Sequence, residues 1–140
     1  MFINFRLWKI NKSRKAGGTG QEGVSELNEY DLYWIPSVPN FVNIDSAIVR
    51  QSGNAWLFQF TTAKNHSYIK RRLSTRFFNN IAIDGLVLGQ KTIIFVVPKG
   101  TSFTPPDVGN ECLVRVDTVD CTSMDTVVAD LKRIMAATID

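Results

Sequence analysis

The sequence predicts an α/β domain in which helices pack on a mixed β-sheet. Three observations carry that expectation. Residues 91–97 (KTIIFVV) form an uninterrupted apolar, β-branched run ending at Pro98, the pattern of a central strand buried on both faces. Two further runs, 41–49 and 56–62, are rich in β-formers and flank the polar turn Arg50-Gln51-Ser52-Gly53-Asn54, so they read as a hairpin. Helical spacing occurs on both sides of the central run. Ile69, Leu73, Phe77 and Ile81 recur every fourth residue within 67–81, and Val127, Val128, Leu131, Ile134 and Met135 make a core-facing stripe near the C-terminus.

The other elements follow in chain order. Residues 2–10 alternate roughly between apolar and polar and fit either a strand or a short helix. Residues 11–23 (NKSRKAGGTGQEG) have the composition of a flexible loop, with a basic start (Lys12, Arg14, Lys15) and no apolar anchor. Neither GxGxxG nor GxxxxGK[ST] occurs there, which argues against a phosphate-cradling loop. Residues 24–39 hold an aromatic cluster, Tyr30, Tyr33 and Trp34, expected to fill the core, with Pro36 and Pro39 as stops. Asp84-Gly85 marks a turn, 100–110 is a Pro- and Gly-rich loop, and 113–119 alternates as a further strand. Ser123 is placed to cap the last helix, with Asp125 in its first turn and Lys132 and Arg133 near its C-terminal end, where they complement the dipole.

Composition bounds the function classes. A chain of 140 residues is expected to form one domain, 1–140, or to be a piece of a longer protein. With 44% hydrophobic and 21% charged residues, it has ordinary globular composition, so disorder is not expected. The formal net charge of +3 is a mild basic bias, compatible with a nucleic-acid partner. No apolar run approaches a membrane span, and the N-terminal residues lack the apolar core of a signal peptide. Cys112 and Cys121 show neither CxxC spacing nor a neighbouring histidine cluster; isolated thiols of this kind point to a reducing, intracellular compartment, with a bridge between the two as the alternative.

The chemistry concentrates on the predicted hairpin. Asp45 lies in the first strand and Gln59 in the second, at comparable distances from the turn, and Lys64 and His66 follow the second strand. A carboxylate and an amide carbonyl are hard oxygen donors suited to Mg²⁺ (or Mn²⁺), which takes few protein ligands and keeps waters for substrate phosphates. A lysine ammonium beside them neutralises charge on a phosphoryl transition state. Asp45, Gln59 and Lys64 are therefore candidate catalytic residues for metal-assisted phosphodiester hydrolysis, with Asp45 and Gln59 as the metal ligands. Nucleophilic catalysis finds little support, because neither cysteine has an adjacent base and Ser46 has no histidine nearby in sequence.

The residues Trp34-Ile35-Pro36, Pro39-Asn40-Phe41, Ile44-Asp45-Ser46, Leu57-Phe58-Gln59-Phe60-Thr61 and Ala63-Lys64-Asn65-His66 carry a resemblance. Over about residues 30–70 the chain resembles the nuclease-like domain shared by Crinkler effectors and retrotransposon-hot-spot proteins, a member of the PD-(D/E)xK superfamily. The resemblance implies a restriction-endonuclease-like core. It makes Asp45 the metal-binding aspartate, puts Gln59 where the superfamily has an acid, and makes Lys64 a displaced catalytic lysine. In nuclease cores of this type an acid on the first helix sometimes joins the metal site, and Glu26 and Glu29 are the candidates. The resemblance also implies an effector or transposon-linked setting, with a host nucleus as one destination. Gln59 in place of an acid, and Thr61 where the motif's lysine belongs, depart from the superfamily pattern.

Lys70, Arg71, Arg72 and Arg76 follow the candidate site, and no acidic residue lies between Val49 and Ile83 to balance them. With His66 they form a candidate phosphate-contacting set giving salt-sensitive affinity, for DNA in preference to RNA. Two alternatives stay open: a nuclease fold that binds nucleic acid without cleaving it, and a protein-interaction module.

Overall fold

A computed structural model describes residues 23–38 and 41–139. The expectations for 2–10, for most of 11–23 and for Lys12, Arg14 and Lys15 lie outside the described residues. The chain is an α/β structure around a four-stranded mixed sheet of order β1-β2-β3-β4. The strands are β1 (Ser46–Val49), β2 (Ala55–Phe60), β3 (Lys91–Pro98) and β4 (Leu113–Val119). β1 and β2 are antiparallel, and β3 runs parallel to both β2 and β4. Among the described residues two α-helices flank the sheet: α1 (Arg72–Arg76), on the connection from β2 to β3, and α2 (Met124–Ala136), after β4. No helix among the described residues is long and apolar enough to cross a membrane.

The hairpin turn depends on Gly53. Its φ of 89° lies in the left-handed region, and a Cβ there would meet Val87 O at 2.3 Å, so no other residue fits without displacing backbone. β3 is central and buried along its length, as its composition predicts. Because successive side chains alternate, β2 and β3 feed two cores. Ala55, Leu57, Ile93 and Phe95 pack with Val24, Leu27, Trp34, Leu73 and Phe77. Phe58, Ile94 and Val96 pack on the other face with Ile134 of α2. Trp34 is fully buried, donates Nε1–H to Gly23 O (3.0 Å), and exchanges two backbone hydrogen bonds with Ala47, which covers the outer edge of β1.

Three expectations need correction. The first hairpin strand begins at Ser46 and not near 41, because Asn43 adopts φ 65°. Its side chain clamps the backbone of Ile69, donating Nδ2–H to Ile69 O (2.8 Å) and accepting from Ile69 N (2.9 Å). That clamp also bears on the second correction. The helix expected over 67–81 shrinks to the five residues of α1 plus a 3-10 turn at Phe78–Asn80. Arg71, at φ 68°, is its N-cap, and no side chain caps the first turn. Ile69 is therefore 54% exposed, while Leu73 and Phe77 are fully buried. Third, α2 has the predicted Ser123 cap and a capping box with Thr126, but Val128 and Leu131 of its stripe are 39% and 38% exposed. One helix buries one narrow face, and the rest borders an open apolar groove of about 380 Å³ lined by Phe60, Val96, Val119, Val127 and Leu131.

Candidate functional site

The hairpin register decides where the candidate residues fall. Ser46 pairs with Phe58, so Asp45 comes opposite Gln59, one step past the end of the ladder. Asp45 prolongs the pairing by other means. Its backbone N–H donates to Phe58 O (2.7 Å), and its Oδ2 accepts the Phe60 N–H at 2.8 Å, taking the place of a strand carbonyl. Asp45 itself is exposed. Gln59 is only 8% exposed and lies on the face of Ala55 and Leu57, with Phe95 as its partner across β3. It faces away from Phe58 and Phe60, and its amide makes no hydrogen bond with a described residue.

The chain after β2 is folded back over this end of the sheet. Thr61 N still donates to Val96 O (3.1 Å), and then Thr61 Oγ1 accepts from Ala63 N (3.1 Å) in a side-chain turn just past the strand. Thr104 N donates to Lys64 O (2.9 Å), Asn65 bridges Thr104, and Phe103 packs on Phe95 with ring centroids 5.4 Å apart. Lys64 is exposed and makes no ion pair among the described residues. His66 lies over the same region, its ring 6.3 Å from Phe95. Its Nδ1 is 2.7 Å from Ser67 O; a carbonyl only accepts, so Nδ1 carries a proton and Nε2 is left for other contacts. Thus Asp45, Gln59 and the segment of Lys64 and His66 meet at the carboxyl end of β2, the usual location of ligands in open α/β sheets.

Neighbouring groups narrow the chemistry. The Ser46 hydroxyl is taken up by Tyr33 Oη at 2.6 Å, which removes it as a free nucleophile. Burial pushes the Tyr33 hydroxyl up to about 12, with a smaller contribution from the Asp45 charge. Glu26 sits in a 3-10 turn (Val24–Glu26) beside Gly23 and Ser37; burial raises its carboxyl above the ordinary range, and Oε1 has no hydrogen-bond partner among the described residues. Among the described residues no group of three or more His, Cys, Asp or Glu could hold a metal ion. A cation bound here would find the remaining Asp45 carboxylate oxygen and the Gln59 carbonyl as its nearest candidate donors. Mg²⁺ requires no more than one or two such ligands when phosphates and water supply the rest.

The basic residues do not form one helical face. Lys70 pairs with Asp107 at 2.9 Å, an exposed contact that, with the Gly109 N–H, holds the Asp107 carboxyl below its ordinary range. Arg76 sits over the Phe41 ring at 5.9 Å, and Arg72 is exposed. Lys70 and Arg71 line a cavity of about 370 Å³ with Lys91, Ser74 and Glu111. Glu111 accepts from Tyr68 Oη (2.6 Å), Ser74 N (3.0 Å) and Ser74 Oγ (3.2 Å). Lys91 is level with Ala55 and Phe95 with Gln59. On this lining the Lys91 backbone therefore lies roughly 13 Å along the strands from Gln59, at ~3.3 Å per residue. Sequence reasoning missed Ser74, Lys91 and Glu111, which come together only through the β2–β3 connection. It also missed Asn43, although a polar residue in an apolar run was a usable signal.

No family model, no curated protein and no solved structure matches this chain.

Proposed function

We propose that the chain is a nuclease-like domain of the PD-(D/E)xK type that engages nucleic-acid phosphodiesters at Asp45, Gln59 and Lys64 and hydrolyses them with Mg²⁺ or Mn²⁺. The observation that carries this reading is the hairpin register, which brings Asp45 opposite a buried Gln59, unpartnered among the described residues, beside the Lys64–His66 segment. The order of elements agrees with it: an antiparallel hairpin whose second strand leads through a helix to a parallel neighbour. Asp45 and Gln59 would hold the metal, which when bound polarises the phosphoryl group and lowers the pKa of a coordinated water. The Lys64 ammonium, exposed and free of a carboxylate partner among the described residues, neutralises charge on the phosphate. His66 Nε2 is available to hydrogen-bond a phosphate oxygen. Lys70, Arg71, Arg72 and Arg76 hold the backbone further along, and a strand carrying a phosphate every ~3.4 Å of axis can reach both regions. DNA is the preferred substrate, and the setting is an effector or transposon-linked protein acting inside a cell, with the host nucleus as one destination.

A second reading, binding without cleavage, is favoured by one observation. One oxygen of Asp45 is already committed to Phe60 N–H, and Gln59 contributes no charge. Cleavage of plasmid DNA and of RNA with Mg²⁺ or Mn²⁺ separates the two. The nuclease reading expects metal-dependent cleavage that falls at least ~100-fold in both Asp45→Ala and Lys64→Ala, with circular dichroism unchanged. If the wild type leaves both substrates intact yet binds them, and Arg71→Ala and Arg72→Ala each lower the salt slope by about one, the binding reading stands instead. Failure of both cleavage and binding would point to a protein partner.

A further inference from the structure

The two edges of the sheet are treated differently. β1 is covered by the backbone of Trp34, whereas β4 closes the other end of the sheet with no strand beyond it among the described residues. Lys99 N donates to Val119 O, which fixes the direction of the peptide groups. Odd-numbered residues of β4 point their N–H and C=O at β3, so those of Val114, Val116 and Thr118 point outwards. Only Arg133 Nη2 reaches this row among the described residues, donating to Thr118 O at 3.2 Å. Val114 and Val116 are each 39% exposed. A row of open peptide groups with β-branched side chains is a template for another strand.

We propose that a second copy of this chain covers the row, β4 against β4, antiparallel about a two-fold axis through Val116. The charges choose that register. With Val116 opposite its own copy, Arg115 faces Asp117 of the second copy and Asp117 faces its Arg115. Sliding one strand by two residues, the smallest step that keeps outward peptide groups paired, puts Arg115 opposite Arg115 or Asp117 opposite Asp117. Only the central register is attractive, and like charges directly opposite are destabilising. Within one chain Asp117 already pairs with Arg115 at 2.9 Å and lies 3.9 Å from Arg133, so the dimer joins two such clusters through alternating Arg115–Asp117 contacts. The Thr118 carbonyl keeps its Arg133 contact, because a carbonyl oxygen has two lone pairs and can also accept Val114 N–H of the second copy. The result is a continuous eight-stranded sheet with this interface at its centre.

Sedimentation of the whole chain across a wide concentration range tests the proposal. The wild type is expected to be a dimer. Arg115→Asp and Asp117→Arg each place like charges opposite one another at both symmetric positions, weakening self-association about tenfold or more. An equimolar mixture of the two variants is expected to regain the dimer, since both cross-strand contacts again join Asp to Arg. A Val116→Cys chain carrying Cys121→Ser gives an independent check. Opposed Cα atoms in a hydrogen-bonded pair lie about 5.5 Å apart, within disulfide range, so mild oxidation should link two chains. A wild type that stays monomeric at every concentration overturns the proposal, leaving the edge bare or covered by residues 1–22. A dimer indifferent to both charge changes, a mixture no more associated than either variant alone, or a Val116→Cys dimer that fails to cross-link also overturns it.

Discussion

Replacing Arg50 by methionine tests the buried polar tie between the end of β1 and the end of α2. Arg50 is 5% exposed. It pairs with Asp31 Oδ1 (3.1 Å), donates Nε–H and Nη2–H to Thr138 Oγ1 (3.1 and 2.7 Å), and reaches Met135 O at 3.5 Å, near the negative end of the α2 dipole. Removing one partner of a buried ion pair usually costs about 3–5 kcal/mol. Two features place this case at the lower end. Asp31 keeps a hydrogen bond from Gln51 Nε2 and a side chain 25% exposed, so water offsets part of the loss. Thr138 Oγ1 keeps Met135 O as an acceptor at 2.7 Å, and methionine preserves the apolar stem. The expected loss is about 3 kcal/mol, a drop in Tm of roughly 10 °C for a chain of this size. Urea unfolding followed by circular dichroism measures it, with the m-value unchanged. Thr138→Val alone should cost about 1 kcal/mol, and the double variant should fall short of the sum by at least ~0.5 kcal/mol, since the two side chains share hydrogen bonds. A loss below about 1 kcal/mol for Arg50→Met, or strict additivity, would refute the idea that this tie holds α2 to the sheet.

The remaining predictions concern single groups. Ser123→Ala removes the hydroxyl that accepts from Thr126 N at 3.2 Å and should cost about 1 kcal/mol, read by the same unfolding assay. Cys112 is part-buried and Cys121 exposed, and burial pushes the Cys112 thiol up to about 12. A chromogenic disulfide reagent on the native chain should therefore find one fast thiol, abolished by Cys121→Ser, while Cys112 reacts only on unfolding. Glu26 titrates above its ordinary 4.5 because burial disfavours its charged form. The stability this confers is present below that value and is lost as pH rises through the raised folded one. Glu26→Gln and wild type should thus be equally stable at acid pH, with the variant more stable at neutral pH; parallel pH curves would show that Glu26 is solvated in the fold.

Much of this protein was legible from sequence alone. Hydrophobic pattern is a local property, so residues 91–97 and 113–119 announced β3 and β4, and the breaker around Gly53 announced the hairpin. The Ser123 cap was likewise readable, because capping needs only a side chain and the first turn beside it. Periodicity misled at 67–81, where tertiary contacts outweighed a regular apolar spacing. Ile69 is held by Asn43, twenty-six residues earlier, and Arg71 leaves the helical region before α1 begins. The spacing of Asp45, Gln59 and Lys64 in the chain singled them out together. Only the register and the side-chain turn at Thr61 decided that they share one end of the sheet, with Asp45 exposed and Gln59 buried. The union of Lys70 and Arg71 with Ser74, Lys91 and Glu111 depended on where the β2–β3 connection crosses the sheet. Sequence pattern determines which face of a segment seeks burial; which distant segment meets it, and in what register, is settled by packing the whole chain at once.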